Sequence, residues 1–359
     1  MAFDLEKLIF DVFAPQEGDV LTLMVDLPHD DIPDMVEWQE RREMAEDWHR
    51  RMAGFAKNFA LSINPLVTYE ATGGHARDLP EFCLSGGRRV RLEDLARDST
   101  IIISMTQFSA SAPLMVLTKK YANLRVASMP LVSRAMQETG LSADYHGIAE
   151  NCARLAPLFD RSEGVEVLFS TGHTCYFDIS DRKGAVQDNG RLHPGAGKDS
   201  VRWGNLPSGE VFVVPNESPE SKTRGEIPVS CGSETAVFVV HKNQVTDVRG
   251  EGPAAVAKRR EFREEKALRN IAEVAIGCNE KAVVSGNPLE DEKAGFHWAY
   301  GRSDFLGGMV SPADFSTPGK VEHHDSVYAR GNPIVCQRFD FIFPDGSRKT
   351  VIEDGVLSL

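Results

Sequence analysis

The chain has 359 residues, 42% of them hydrophobic and 26% charged, which is typical of a globular protein with room for a sizeable core and for two domains. Its formal net charge of -13 argues against nucleic acid or an anionic membrane as a principal partner. No apolar run approaches the roughly 20 residues that a membrane helix needs, and the N-terminus lacks the basic-then-apolar pattern of a signal peptide. We therefore expect a cytoplasmic protein.

The first part of the chain predicts helices that alternate with buried strands. Residues 4–13 place apolar side chains on one helical stripe, and the apolar run over 19–26 is typical of a strand covered on both faces. Further helices and strands are predicted over 34–59, 65–70, 90–96, 101–105, 112–122, 124–128 and 145–159. Because such alternation produces βαβ units, we expect residues 1–160 to form an open, mostly parallel α/β domain of the flavodoxin-like type.

From Gly164 onward the pattern changes to short strands joined by tight turns. These strands are predicted over 165–170, 175–180, 210–214, 236–240, 244–248, 335–343 and 349–353, with one helix over 254–267. Residues 161–359 are therefore expected to form a β-rich, antiparallel domain that is barrel-like or strongly curved.

Carboxylates and imidazoles concentrate near the end of the chain. In the His-x-Asp segment 323–325 the imidazole and the carboxylate project on the same side of an extended strand, because side chains alternate faces with period two. Such a pair supplies part of a metal site, and imidazole with carboxylate suits zinc, cobalt, manganese or ferrous iron. The residues that can form the site are Glu210, Glu273, His297, His323 and Asp325. A surface turn or a simple hydrogen-bonded pair is the alternative interpretation of this spacing.

Four parts of the sequence together resemble one enzyme family. They are TGHTCYFDIS at 171–180, WGNLPSGEVF at 203–212, NIAEVAIG at 270–277 with DEKAGFH at 291–297, and HHD at 323–325. Their order and spacing are similar to those of the thermophilic-metalloprotease-like aminopeptidases, the group of aminopeptidase T and aminopeptidase S. The resemblance extends over about residues 165 to 355, and it concerns only the architecture in the N-terminal half. Dihydroxypyridine dioxygenases look similar over the same segments.

The resemblance implies an enzyme that hydrolyses an N-terminal peptide bond or a related amide. In the peptidases a pair of divalent metals, zinc, cobalt or manganese, is held by glutamates, histidines and an aspartate, which by motif position are the five residues named above. It implies a catalytic role for Glu210 and Glu273 as well, and it makes Glu292 a further ligand or a supporting group. It also implies a homodimer whose cleft is partly enclosed by the partner, with a peptide or small molecule as substrate.

One position departs from the peptidase pattern. The peptidases carry a catalytic tyrosine seven residues after the histidine that matches His297, and here that residue is Asp304. A tyrosine hydroxyl can stabilise an oxyanion, whereas an ionised aspartate opposes that charge. Tyr300 and Tyr328 lie nearby in sequence, but neither occupies the matching position.

Two alternatives to the hydrolase follow from this departure. One is a dioxygenase-like enzyme with a single Fe(II) on two histidines and one carboxylate. His323 and Asp325 match that branch, but its other histidine lies near the position of Glu273. The other alternative is a peptide- or small-molecule-binding protein that has kept the fold without catalysis.

Four residues are candidates for substrate binding. Arg202 and Trp203 directly precede the GNLPSGE segment, where they can contact a substrate carboxylate or aromatic group or can instead form a structural stacking pair. Tyr300 and Asp304 follow His297 and occupy the neighbourhood of the missing tyrosine.

Overall fold

The computed structural model describes residues 3–180, 184–195 and 202–359. The described α-helices are α1 (Leu5–Phe13), α2 (Val36–Ala56), α3 (Leu92–Asp98), α4 (Ser111–Lys120), α5 (Tyr145–Arg161), α6 (Pro253–Glu264) and α7 (Pro288–Asp291). None of these helices combines the length and the apolar character that crossing a membrane requires.

The described strands are mostly short. They are β1 (Val20–Leu27), β2 (Ser62–Ile63), β3 (Val67–Glu70), β4 (Phe82–Ser85), β5 (Arg88–Arg91), β6 (Ile101–Ser104), β7 (Arg125–Ser128), β8 (Gly164–Phe169), β9 (Thr174–Asp178), β10 (Val186–Asp188), β11 (Trp203–Asn205), β12 (Glu210–Val213), β13 (Arg224–Cys231), β14 (Glu234–His241), β15 (Gln244–Arg249), β16 (Ile271–Gly277), β17 (Phe296–Gly301), β18 (His323–Val327), β19 (Cys336–Ile342), β20 (Arg348–Glu353) and β21 (Val356–Leu357).

The chain folds into two compact units. The first contains the residues up to Ala149 together with 188–208 and 280–282, and the second contains 150–187, 209–279 and the residues from Val283 onward. The first unit therefore takes in a segment well beyond residue 160.

The first unit is built on a mixed sheet with the strand order β11-β7-β6-β1-β3-β4-β5. The pairs from β11 to β3 are parallel, and β4 and β5 add an antiparallel edge. The central strand β1 is buried along most of its length, as its apolar run predicts. The predicted α/β character with a parallel sheet is thereby confirmed.

Local sequence signals explain where the first helices begin and end. Asp4 caps α1 by accepting a hydrogen bond from the Lys7 amide at 3.0 Å, and the helix buries its apolar stripe. The long helix predicted over 34–59 is shorter in the structure. It begins at Val36, and after Ala56 the chain tightens into a 3₁₀ turn that ends at Ala60 in a left-handed conformation.

The second unit is antiparallel. One sheet has the order β15-β14-β13-β9-β8-β19-β20-β21, and another places β12, β16, β17 and β18 side by side. Neither sheet closes into a barrel among the residues that the structure describes. The β-rich, antiparallel prediction is confirmed at this level, whereas the barrel-like form is not.

Aromatic side chains join the two sheets of this unit. Phe296 on β17 lies 6.1 Å from Phe169 and 5.5 Å from Phe339 between ring centroids, and Trp298 lies 6.1 Å from Phe238. Because side chains alternate along β17, the intervening residue His297 points to the opposite face of the sheet. The core therefore takes one face of β17 and leaves the other face for polar residues.

Candidate metal centre

Four neighbouring strands supply the polar face. The register places Glu273 of β16 opposite Ala299 of β17, which lies opposite Asp325 of β18. In the adjacent row Ala275 lies opposite His297. Alanines thus alternate with the functional side chains on this face, and their small size leaves space in which carboxylates and imidazoles converge.

A glycine brings the segment after α7 against the same strands. A Cβ atom on Gly277 would lie 2.2 Å from the carbonyl oxygen of Glu292 and 2.4 Å from the carbonyl carbon of Lys293. Only a residue without a side chain permits this approach. The Gly277 amide also donates a hydrogen bond to the Gly295 carbonyl at 2.8 Å. Glu292 and Lys293 reach the cluster because of this contact.

The converging side chains form three overlapping groups of possible metal ligands, whose ligand atoms lie within 4.8 Å of one another. These groups are Glu210 with Glu273 and His297, Glu273 with His323 and Asp325, and Glu292 with His297 and Asp325. Each group therefore contains one imidazole and two carboxylates, which is a donor set suited to divalent zinc, cobalt or manganese.

Glu273 is shared between two of the groups through its separate oxygens. Its Oε1 lies 3.7 Å from His297 Nε2, and its Oε2 lies 3.1 Å from His323 Nε2. Two ligand atoms at about 2.1 Å from one tetrahedral ion lie about 3.4 Å apart. Each of these two imidazole–carboxylate pairs is therefore spaced like two ligands of one ion.

Backbone carbonyls orient both imidazoles. The Nδ1 of His297 lies 3.3 Å from the Gly295 carbonyl oxygen, and the Nδ1 of His323 lies 2.7 Å from the Arg302 carbonyl oxygen. A proton on Nδ1 that is donated to these carbonyls leaves the Nε2 lone pairs directed at the carboxylates. Metal-binding histidines are commonly held in this way.

One buried oxygen of Glu210 lacks a well-oriented hydrogen bond. The Oε2 of Glu210 lies 3.2 Å from His297 Nε2, but no described group donates a well-oriented hydrogen bond to it. A buried carboxylate oxygen that faces an imidazole lone pair is costly unless a cation or a proton lies between them. In the metal-free protein a proton on His297 meets this need, as its raised pKa indicates, and a metal ion held by both side chains would take its place.

Lys293 supplies a fixed positive charge beneath the cluster. Its ammonium is completely buried, and its Nζ lies 2.7 Å from Glu210 Oε1 and 2.6 Å from Glu292 Oε1. The contact holds one oxygen of each glutamate and offsets part of their combined charge. Lys293 was not among the ligand or substrate candidates, since a lysine next to acidic residues is not a distinctive signal.

The cluster perturbs the protonation of its own members. Burial favours the neutral form of Glu210, but Lys293 and His297 outweigh it and hold its pKa below the usual range. Burial is likewise outweighed at Glu273, whose pKa is lowered by His297 and His323. For Glu292 burial prevails and raises the pKa to about 8. Burial opposes the imidazolium forms, yet the neighbouring carboxylates raise the pKa values of His297 and His323 well above 6.5.

The structure thus brings the five predicted ligands together on one face of a single sheet. Glu210, Glu273 and His297 are buried, whereas His323 and Asp325 are partly exposed, with 11% and 20% of their side chains accessible. Glu292, the predicted further ligand or supporting group, also lies in this cluster.

Arg202 and Trp203 belong to the first unit. Arg202 donates a hydrogen bond from Nη1 to the carbonyl oxygen of Tyr121 at 3.0 Å and another to that of Ala122. Trp203 packs against the apolar core of that unit. Of the two interpretations offered by the sequence, these contacts agree with the structural one.

Tyr300 and Asp304 occupy different surroundings. Tyr300 is buried on the aromatic face of β17, and its Oη accepts a hydrogen bond from Lys258 Nζ at 2.7 Å. It faces away from His297, so we interpret it as a core residue rather than a substrate contact. Asp304 forms an ion pair with Arg302, in which Nε lies 2.6 Å from Oδ1.

Comparisons with known proteins identify the fold. No protein-family model and no curated protein matches the chain. A 2,5-dihydroxypyridine dioxygenase from Pseudomonas putida KT2440 is similar, with a TM-score of 0.65 and 14% identity over 99% of this chain and 96% of that one. AmpT from Thermus thermophilus is similar with a TM-score of 0.57 and 15% identity over 99% of both chains. The predicted resemblance to the aminopeptidase and dioxygenase group is confirmed at the level of the fold.

Proposed function

We propose that this protein is a metal-dependent hydrolase of the aminopeptidase type that holds two divalent metal ions. The observation that carries the proposal is the position of Glu273, whose two oxygens face two different histidines. A carboxylate shared in this way suits a bridging ligand of a two-metal site. One ion is assigned to Glu210, Glu273 and His297, and the other to Glu273, His323 and Asp325.

The neighbouring residues have distinct tasks in this proposal. Two metal ions held by these residues would polarise a scissile carbonyl and supply a nucleophile at neutral pH. Glu292, which lies with His297 and Asp325 in the cluster, would accept a proton from the attacking water and return it to the leaving amine. Lys293 holds Glu292 and Glu210 in place through contacts of 2.6 and 2.7 Å.

Asp304, which occupies the position of the peptidase tyrosine, is compatible with hydrolysis in this arrangement. The Arg302 guanidinium binds the aspartate, so the pair carries little net charge. Arg302 also lies beside the site, since its carbonyl oxygen is 2.7 Å from His323 Nδ1. Asp304 therefore does not place an unbalanced negative charge next to the reacting carbonyl.

A single-iron dioxygenase is the second candidate, and the similarity to 2,5-dihydroxypyridine dioxygenase favours it. The iron site of such an enzyme needs two histidines and one carboxylate with open positions. None of the three ligand groups in this structure combines two histidines, because His297 and His323 lie in different groups. For this reason the hydrolase is the preferred proposal.

Metal content measured together with activity tests the proposal. The protein would be purified without added metal or chelator and then incubated with zinc, cobalt, manganese or anaerobic ferrous iron. We expect about two equivalents of zinc, cobalt or manganese per chain and release of the first residue from unblocked peptides. N-acetylated peptides are the matched control and should not be cleaved.

Two results would overturn the proposal of a two-metal hydrolase. One bound iron, with dioxygen consumed in the presence of 2,5-dihydroxypyridine, would establish the second candidate. A folded protein that binds none of these metals would leave a ligand-binding role. We also propose a homodimer, and light scattering of the eluted protein would contradict this if it gave the mass of one chain, 39.6 kDa.

A further inference from the structure

The strand β18 differs from its neighbours in accessibility. Every residue of β16 and β17 is buried, whereas no residue of β18 is fully buried. Within the described residues β18 is also the last strand on its side of the sheet. The two ligands on this strand, His323 and Asp325, are accordingly the most exposed of the five proposed ligands. The cluster is therefore more accessible at β18 than at β16 and β17.

The hydrogen-bond pattern shows which backbone groups of β18 point outward. At the two ends of the β17–β18 ladder, the Arg302 amide donates to the Glu322 carbonyl and the Tyr328 amide donates to the Phe296 carbonyl, both at 2.8 Å. Bonded and non-bonded pairs alternate along an antiparallel ladder. Between these two ends, the residues of β18 whose backbone groups bond to β17 are therefore His324 and Ser326.

The backbone groups of His323, Asp325 and Val327 consequently face away from β17. The register agrees, because these residues lie opposite Gly301, Ala299 and His297 respectively, which direct their own amides and carbonyls toward β16. No strand pairs with this outer side among the described residues. Two of the three residues with outward-facing backbone groups also carry proposed metal ligands.

We propose that the substrate is an extended peptide that adds to the sheet along the outer edge of β18. The inference rests on the proposed function and specifies how that site recognises its substrate. A strand edge with which no other strand pairs offers alternating N–H and C=O groups that an extended peptide can complete, and this is an established mode of peptide recognition. The reacting end of the peptide would lie at the metal centre, and the residues after the scissile bond would follow β18.

This geometry imposes a period of two on the substrate. The outward-facing residues of β18 recur about every 6.8 Å, which is the distance between alternate residues of an extended peptide. Every second backbone amide of the substrate would therefore bond to β18, and the intervening amides would point away. An aromatic substrate of dioxygenase type has no such repeating backbone.

Hydrogen exchange followed residue by residue tests the edge directly. The probe is hexa-alanine with its first peptide bond reduced to a methylene-amine, which cannot be hydrolysed, added to the zinc- or manganese-loaded protein. We expect exchange at the amides of His323, Asp325 and Val327 to slow by about tenfold or more. The amides of His324 and Ser326, already bonded to β17, should change little. Unchanged exchange at the three outward amides at saturating probe would overturn the inference.

Kinetics with hexa-alanine and its single amide-to-ester analogues provide the second readout. Replacing an N–H that bonds to β18 should raise KM about twofold to tenfold with kcat unchanged, and the effect should alternate along the peptide. Cleavage of the peptides with KM values that do not alternate along the chain would overturn the inference about β18 and would still agree with the proposed hydrolase function. Protection of the outward amides by the probe, without cleavage of any peptide, would support the inference about β18 and contradict the proposed hydrolase function. Slow exchange that depends on protein concentration alone would assign the edge to a second copy of the chain and overturn the inference.

Discussion

Both units of this protein bury carboxylates, but the two environments differ. In the first unit Asp26 is completely buried at the end of β1. Its Oδ1 accepts hydrogen bonds from Trp38 Nε1 at 2.9 Å and from the Gln107 amide at 2.7 Å, and its Oδ2 accepts one from the Phe108 amide at 3.0 Å. Neutral donors thus satisfy both oxygens, so Asp26 fastens the loop that follows β6.

In the second unit buried carboxylates face imidazoles and one another. One oxygen of Glu210 faces His297, and Glu273 divides its two oxygens between two histidines. Burial alone therefore does not identify a functional carboxylate. The convergence of carboxylates and imidazoles is a better indicator, because ligand atoms this close together need a proton or a cation between them.

The largest effect is expected from replacing the shared ligand. Glu273→Ala removes a ligand from both proposed metal positions, so bound metal should fall below one equivalent and kcat/KM should fall by about 10³-fold or more. Elemental analysis and peptide hydrolysis measure the two quantities. Asp26→Asn is the matched control and should retain the metal. Two full equivalents in the Glu273 variant would contradict the proposed bridge.

A smaller loss is expected at the residue assigned to proton transfer. Glu292→Gln keeps the size and the contact with Lys293 but cannot accept a proton, so kcat should fall by about 10²- to 10³-fold. Metal content should remain as in the parent protein. A variant that loses metal and activity in parallel would show that Glu292 is a ligand instead.

Acidification should weaken metal binding. In the metal-free protein the carboxylates raise the pKa values of His297 and His323 above 6.5 despite their burial. A metal binds only neutral imidazole, so as pH falls through these raised pKa values the ion must displace additional protons. Affinity should decrease by about tenfold per pH unit for each proton displaced. Calorimetric titration with manganese at pH 8, 7 and 6 measures this slope, and a flat profile would exclude both histidines as ligands.

The structural carboxylate should affect stability alone. Asp26→Asn turns an amide group toward one of the donors that now bond to Asp26, so the free energy of unfolding should decrease by about 1–3 kcal/mol. Chemical denaturation measures the change. Asp34→Asn, at a largely exposed carboxylate paired with Arg42, is the control and should cost no more than about 1 kcal/mol. Loss of metal from the Asp26 variant would remove the distinction between the two environments.

The smallest effect is expected at Tyr300. Tyr300→Phe removes only the hydroxyl that accepts from Lys258, so stability should decrease by about 1 kcal/mol. Because the ring faces the core, KM and kcat should remain within about twofold of the parent values. A rise in KM of tenfold would restore Tyr300 as a substrate contact.

Much of the site follows from patterns that are local in sequence. Period-two alternation already places His323 and Asp325 on one face of a strand, and the same rule directs His297 away from the aromatic core. The apolar run of β1 likewise predicts a buried parallel strand. These features depend on residues only a few positions apart, so the sequence is sufficient to infer them.

The remaining features of the site depend on the tertiary structure. Glu210 and Glu273 are far apart in the chain, and they converge only because β12 pairs with β16. Gly277 admits Lys293 to the cluster through a close backbone contact that no local pattern reveals. The sharing of Glu273 between two histidines depends on the register of four strands. Such long-range pairings are selected by burial and packing over the whole unit, and the propensities of individual segments do not specify them.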